Sequence, residues 1–158
     1  MNFISSIDLK IDNWLNSKKD LINRFIPNIV DKLFIYGAYF IPVSINLIYN
    51  TKNVIYYIPL ISSVVLLKYC FGRLHPEQTN GEDKWYPFEG SFGKTEYQAI
   101  PSGHTAISLF SALISNNIFL WIYFFLTILI MLFKRHHWFS DIVFGALLSC
   151  MFFIFTTL

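Results

Sequence analysis

The chain has 158 residues, of which 54% are hydrophobic, 19% aromatic and only 14% charged, an apolar share above the roughly 45–50% usual for a soluble domain. The formal net charge of +2, without an arginine-rich or glycine-rich tract, gives no argument for a nucleic-acid partner. The composition fits one polytopic membrane domain, and Cys70 and Cys150, in or beside apolar segments, read as free thiols rather than a disulfide framework.

The N-terminus lacks the basic stretch and uninterrupted apolar run of a cleaved signal peptide, so insertion is expected to rely on the chain's own helices. From Phe3 to Ile26, Phe3, Ile4, Ile7, Ile11, Trp14, Leu15, Ile22, Phe25 and Ile26 recur at helical spacing, interrupted by charges such as Asp8, Asp12, Lys18 and Arg24. This predicts an amphipathic helix over residues 1–30, ended by Pro27, either lying in the membrane interface or packed on the protein's own bundle.

Leu33–Tyr49 and Val54–Phe71 read as two spans joined by the tight turn Asn50–Asn53, each near the roughly 20 residues a crossing needs. Pro42 and Pro59 interrupt them as kinks that neighbouring helices tolerate. The segment from Gly72 to Ile100 is a long polar loop with four glycines, five acidic residues and the aromatics Trp85, Tyr86, Phe88, Phe92 and Tyr97. Those aromatics suit a membrane-interface belt or a lid over a lipid headgroup. A third helix runs from Thr105 to Ser115, extended back to the Pro101-Ser102-Gly103 turn. Ile118–Phe133 is a fourth, and a fifth starts at Asp141 or Ile142 and runs to Leu158. The expected architecture is therefore all-α: a polytopic membrane helical bundle of about five transmembrane helices, in a domain of residues 31–158, preceded by the amphipathic helix.

This topology brings three polar clusters to one membrane face: Lys68 with Arg73, His75 and Pro76; Ala99 to Thr105; and Lys134 to Asp141. Ionisable residues at a membrane edge are functional candidates because burying them in hydrocarbon costs several kcal/mol, of order ~3 or more each. Arg73 offers a planar fork of donors matched to phosphate oxygens, and Lys68 either adds a cation or snorkels to the interface. The Pro-Ser-Gly-His turn supplies backbone N–H groups, a hydroxyl and a positive helix end, the ingredients of an anion site, or of a plain helix cap. His137 and Asp141 are four apart and share a helical face, so the carboxylate can fix the imidazole tautomer. A zinc site drawn from His75, His104, His136, His137 and Asp141 lacks tight ligand spacing and would be repelled by the neighbouring cations, so phosphate is the better fit and no metal is expected.

In order and spacing these clusters resemble the phosphatidic acid phosphatase type 2 superfamily, membrane lipid phosphatases whose site is shared with vanadium haloperoxidases. Its pattern is a lysine, six residues, then Arg-Pro; next Pro-Ser-Gly-His; last an arginine, five residues, a histidine, three residues and an aspartate. Here the stretches are Lys68 to Pro76, Pro101 to His104, and His137 to Asp141, and the likeness covers about Leu33 to Leu158. The resemblance implies that His137 attacks phosphorus to form a phosphohistidine, that Asp141 orients it, and that His104 protonates the leaving group and activates water, with no cofactor. Lys68, Ser102 and Gly103 would hold the phosphate oxygens, joined by Arg73 and by His75 in the slot before Pro76. The arginine slot six before His137 holds Met131; Arg135, one turn on, is the expected substitute, and Lys134 the next candidate.

Lipid A, undecaprenyl diphosphate, phosphatidylglycerophosphate and phosphatidate all fit as substrates. The rivals are a catalytically weakened relative that binds lipid phosphates without turnover, and a transporter or structural bundle. Eleven of the twelve Lys and Arg residues fall on the site face, which favours the cytoplasm. The resemblance places the site on the periplasmic or extracellular side of a bacterial inner membrane, and that orientation is the one expected.

Overall fold

The computed structural model describes residues 3–49, 51–79, 82–88 and 97–157. Their regular elements are all helical: α1 (Phe3–Ser17), α2 (Lys19–Phe25), α3 (Asn28–Tyr49), α4 (Tyr57–Phe71), α5 (Gly103–Ser115), α6 (Ile118–Phe133) and α7 (Phe139–Thr157). A 3-10 segment, Thr51–Tyr56, leads into α4. Three helical stretches, Asn28–Tyr49, Lys52–Phe71 and Phe139–Thr157, are long and apolar enough to cross a membrane; α5 and α6 are apolar but shorter.

The central element is α5, which packs against α3, α4, α6 and α7. Its small residues Ala106, Ser108, Ser111 and Ala112 are buried and let neighbouring helices approach closely, as membrane bundles require. One side of the core joins Tyr57, Leu60 and Val64 to Ala106, Ile107 and Phe110. The other joins Phe34, Ile130, Met131 and Ile142.

Several boundaries differ from the sequence expectation. The N-terminal helix breaks at Lys18 into α1 and α2. Then α3 begins at Asn28, directly after Pro27 and before the expected domain edge at residue 30, because Pro27 fits a helix start as well as an end. Pro59 sits in the first turn of α4, where no intrahelical hydrogen bond is lost, so it begins the helix instead of kinking it. Pro42 remains inside α3, buried, and its carbonyl accepts a hydrogen bond from the Asn46 side chain at 3.1 Å. Both cysteines are free.

The orientation of α1 is the least expected feature. Asp8, Asp12 and Leu15 are buried while Ile4 and Trp14 are exposed together with Lys10 and Asn13, so two acids face the protein and two large apolar side chains face outward. A helix packed on its own bundle normally does the reverse. The loop after α4 is anchored at Gly72, whose φ of +56° ends the helix and whose Cβ, if present, would lie 1.8 Å from the Tyr86 carbonyl oxygen. Only glycine fits there. Trp85 and Tyr86 pack in this anchor, Phe88 is exposed, and Phe92 lies outside the described residues.

Candidate active site

Two histidines meet at the mouth of the bundle. His137, in the connection between α6 and α7, is buried, and its Nε2 lies 3.4 Å from Nδ1 of His104 in the first turn of α5. Each second ring nitrogen points at a fixed acceptor. His104 Nε2 is 3.1 Å from the Ile35 carbonyl oxygen of α3; a carbonyl only accepts, so Nε2 carries the proton and Nδ1 is the nitrogen turned to the site. Among the described residues His137 Nδ1 has no hydrogen-bond partner, and it lies 3.7 Å from Asp141 Oδ2. Burial, and then His75, Lys68, His104 and His136, hold the His137 imidazole well below 6.5, which keeps it neutral.

Asp141 is locked in place by the start of α7. Its Oδ2 accepts the Trp138 backbone N–H at 2.9 Å and its backbone carbonyl accepts the Ser102 N–H at 2.9 Å. That second bond ties α7 to the Pro-Ser-Gly turn. Gly145, one turn further on, would place a Cβ 2.5 Å from the Ser102 carbonyl oxygen. Ser102 caps α5, its hydroxyl accepting from Thr105 N at 3.3 Å and Thr105 Oγ1 at 3.0 Å. The first-turn amides of Gly103 and His104 precede the intrahelical ladder, and a Cβ on Gly103 would stand 2.5 Å from the Tyr39 hydroxyl. The Lys68 ammonium donates to the Gln98 carbonyl, and its charge depresses both His75 and His137. The His75 ring lies tilted beside His137 with ring centroids 5.1 Å apart, its Nδ1 donating to the His136 carbonyl.

The arginines are placed differently from these groups. Arg73 is fully buried, sandwiched between the rings of Trp85 and Trp138 at 4.7 and 5.0 Å. Its Nε donates to Asp83 Oδ1, Nη1 to Ser140 Oγ and Asp141 Oδ1, and Nη2 to Asp8 Oδ2 and Asp83 Oδ2. Those bonds use all five donors of a guanidinium. Burial opposes the charge, yet Asp141, Asp83 and Asp8 outweigh it and hold Arg73 above its ordinary value. Arg135 turns to α1, bonding Asp12 through Nε and Nη2 and Asn16 through Nη1. Met131 is in the core with Phe34, Ile130 and Ile142, and Lys134 bonds Asn23 at 2.9 Å. Among the described residues no set of three His, Cys, Asp or Glu side chains is arranged to hold a metal ion.

The sequence profile of the PAP2 superfamily matches residues 49–158. The chain belongs to this superfamily. Its members are phosphatases, and phosphatase chemistry is therefore the activity at this level of description. No significant match exists among curated proteins or among solved structures. The PAP2 match includes the His104 and His137 pair, Lys68 and Asp141, and leaves α1, α2 and nearly all of α3 outside it.

Sequence reasoning did not single out Asp8, Asp12, Asp83, Trp138 or Ser140, all of which the structure draws to the rear of this PAP2 site. Two acids in α1 spaced four apart carry the signal, since they share a face, but the amphipathic pattern alone does not say what that face meets.

Proposed function

We propose that this PAP2 protein is an integral-membrane lipid phosphatase that removes phosphate from a lipid phosphate or diphosphate through a phosphohistidine intermediate. The observation that carries the reading is the pair of facing nitrogens, His137 Nε2 and His104 Nδ1, 3.4 Å apart, with His104 held through Nε2 by the Ile35 carbonyl and His137 Nδ1 3.7 Å from Asp141 Oδ2. In the first step His137 Nε2 forms a bond to phosphorus as the bond to the lipid oxygen breaks, and the leaving oxygen takes the Nδ1 proton of His104, which enters the step as an imidazolium protonated on both nitrogens and leaves it neutral with its proton on Nε2. In the second, His104 Nδ1 removes a proton from water, which attacks phosphorus and releases phosphate and His137. The rings part to admit the phosphoryl group. As positive charge develops on His137, its Nδ1–H closes on Asp141 Oδ2, a hydrogen bond of the kind that tightens only in the reacting complex.

Charge on the non-bridging oxygens falls to Lys68, to the first-turn amides of Gly103 and His104 beside Ser102, and to the positive end of α5. His75, pushed down to about 4 by burial first, is neutral near pH 7 and adds charge only in acid. Arg73 and Arg135 keep their donors on carboxylates, so this reading gives them no direct hold on phosphate. The chemistry calls on histidine, lysine and backbone dipoles, without a metal or cofactor. We take α3 to α7 as five spans forming the phosphatase domain, in a bacterial inner membrane with the site toward the periplasm or cell exterior. Lipid A, undecaprenyl diphosphate, phosphatidylglycerophosphate and phosphatidate remain the candidate substrates.

The test is phosphate release by the full chain in detergent with EDTA, across those four lipids, for wild type beside His137→Ala. EDTA-resistant release that vanishes in the variant supports the reading and names the substrate. A folded wild type that binds these lipids and releases nothing is instead the weakened, non-turning relative.

A further inference from the structure

The PAP2 match starts at residue 49, yet a carboxylate from the first helix reaches the back of the catalytic pair. Asp8 is 1% exposed, and burying a carboxylate is tolerated only when it is paired and hydrogen-bonded. Its Oδ2 accepts from Arg73 Nη2 at 2.6 Å and from Ser140 Oγ, and its Oδ1 accepts from Ser140 N at 2.9 Å. Ser140 is the second residue of α7, so Asp8 satisfies an orphan amide of that helix start from 132 residues away. The next residue is Asp141. Through its other arm, Nη1, Arg73 reaches Asp141 Oδ1 at 2.6 Å.

We propose that Asp8 is a positioning residue for the reaction, acting through Arg73 and Ser140 on Asp141, so that the N-terminal helix is part of the catalytic unit. Two effects follow from the geometry. Asp8 and Asp83 share the Arg73 charge, leaving more of the Asp141 charge free to meet His137. The bond to Ser140 N fixes the turn on which Asp141 sits. The inference rests on the reading of His137 as the nucleophile and Asp141 as its orienting partner.

The groups facing His137 are Lys68 from α4, His75 and His136 from the connections, His104 from α5 and Asp141 from α7, with Arg73, Asp83 and Asp8 behind Asp141. Removing one negative charge from this set, by Asp8→Asn in the full chain, strengthens the hold of Arg73 on Asp141. The expected result is a titration of the His137 imidazole, followed by nitrogen-15 NMR in detergent, that moves to lower pH. In turnover of phosphatidate, kcat falls about tenfold or more with KM within about twofold, since Asp8 does not touch substrate. Leu15→Ala, which loosens α1 through packing alone, lowers the melting temperature and leaves both the titration and kcat in place.

An unmoved His137 titration in Asp8→Asn overturns the proposal. So does an equal loss of kcat in Leu15→Ala, which would make Asp8 a docking contact only. A wild type without turnover defeats the phosphatase reading, and the His137 titration still decides this one.

Discussion

Arg73 donates to Asp141 at 2.6 Å from the side away from His137. Arg73, the most buried cation among the described residues, thus grips the carboxylate that we propose orients the nucleophile, on the side away from the proposed phosphate position. Coulomb attraction at that distance in a dry site is strong, but three buried carboxylates share the guanidinium, and a buried ion cluster of this kind is fragile to the loss of one member. Arg73→Gln leaves Asp8, Asp83 and Asp141 facing one another. The expected cost is about 3–5 kcal/mol, measured as a fall in melting temperature in detergent, whereas a stability equal to wild type would mean that the cluster is open to solvent.

Restoring arginine at position 131 is the obvious way to strengthen phosphate binding, and the structure argues against it. Met131 is fully buried beside Phe34, Ile130 and Ile142. A charge there meets no partner and costs several kcal/mol, of order ~3–5. Met131→Arg is expected to fold poorly and to lose activity; a gain in kcat/KM would show that the α6 terminus rotates in the working enzyme.

His104→Gln removes the proton donor and keeps the ring's approximate size. Loss of a general acid costs roughly 10²–10⁴ in rate. The loss is expected in full for an alkyl lipid phosphate, and to be much smaller in the first, phosphohistidine-forming step with p-nitrophenyl phosphate, whose leaving group needs no proton. Equal losses with both substrates in a rapid-quench measurement of that step would remove His104 from the acid role.

Stability should respond to pH on both sides of neutrality, for opposite reasons. Burial first, then Lys68 and His136, push His75 down to about 4 from 6.5, against the pull of the His136 carbonyl and Glu77. A lowered folded pKa means that this contribution is complete above 6.5 and is lost as pH falls from there toward about 4. His136 runs the other way: burial lowers it, but Glu77 and Asp31 outweigh burial and raise it. Its contribution is complete below 6.5 and is lost as pH rises through the folded value. Melting curves should therefore show His75→Gln relieving the acid-side loss and His136→Gln flattening the alkaline side; unchanged profiles would place both rings in solvent.

The meeting of His104, His137 and Asp141 was legible in the sequence because motif spacing fixes which helix ends carry them, and His104 Nδ1 lies 3.4 Å from His137 Nε2. The long apolar helices were legible for the same reason that membranes demand them. Cation assignments were harder. Arg73 and Arg135 look identical to phosphate ligands until their acidic partners are known, and those partners, Asp8 and Asp12, lie more than 60 residues away in α1. The acidic stripe of α1 reads as a water-facing side under ordinary amphipathic logic, which assumes that apolar faces turn inward. Here Asp8 and Asp12 turn inward because Arg73 and Arg135 pair with them, contacts that only the fold reveals.

The most direct test of the central claim is to trap the covalent intermediate. Full-length protein is mixed with phosphorus-32-labelled lipid phosphate, quenched in alkali within the first turnover, and digested for mass spectrometry. Acid-labile label is expected on His137, present in wild type, retained at a slower rate of loss in His104→Gln, and absent in His137→Gln. Phosphate release without label on His137, or label that persists in His137→Gln, would contradict it.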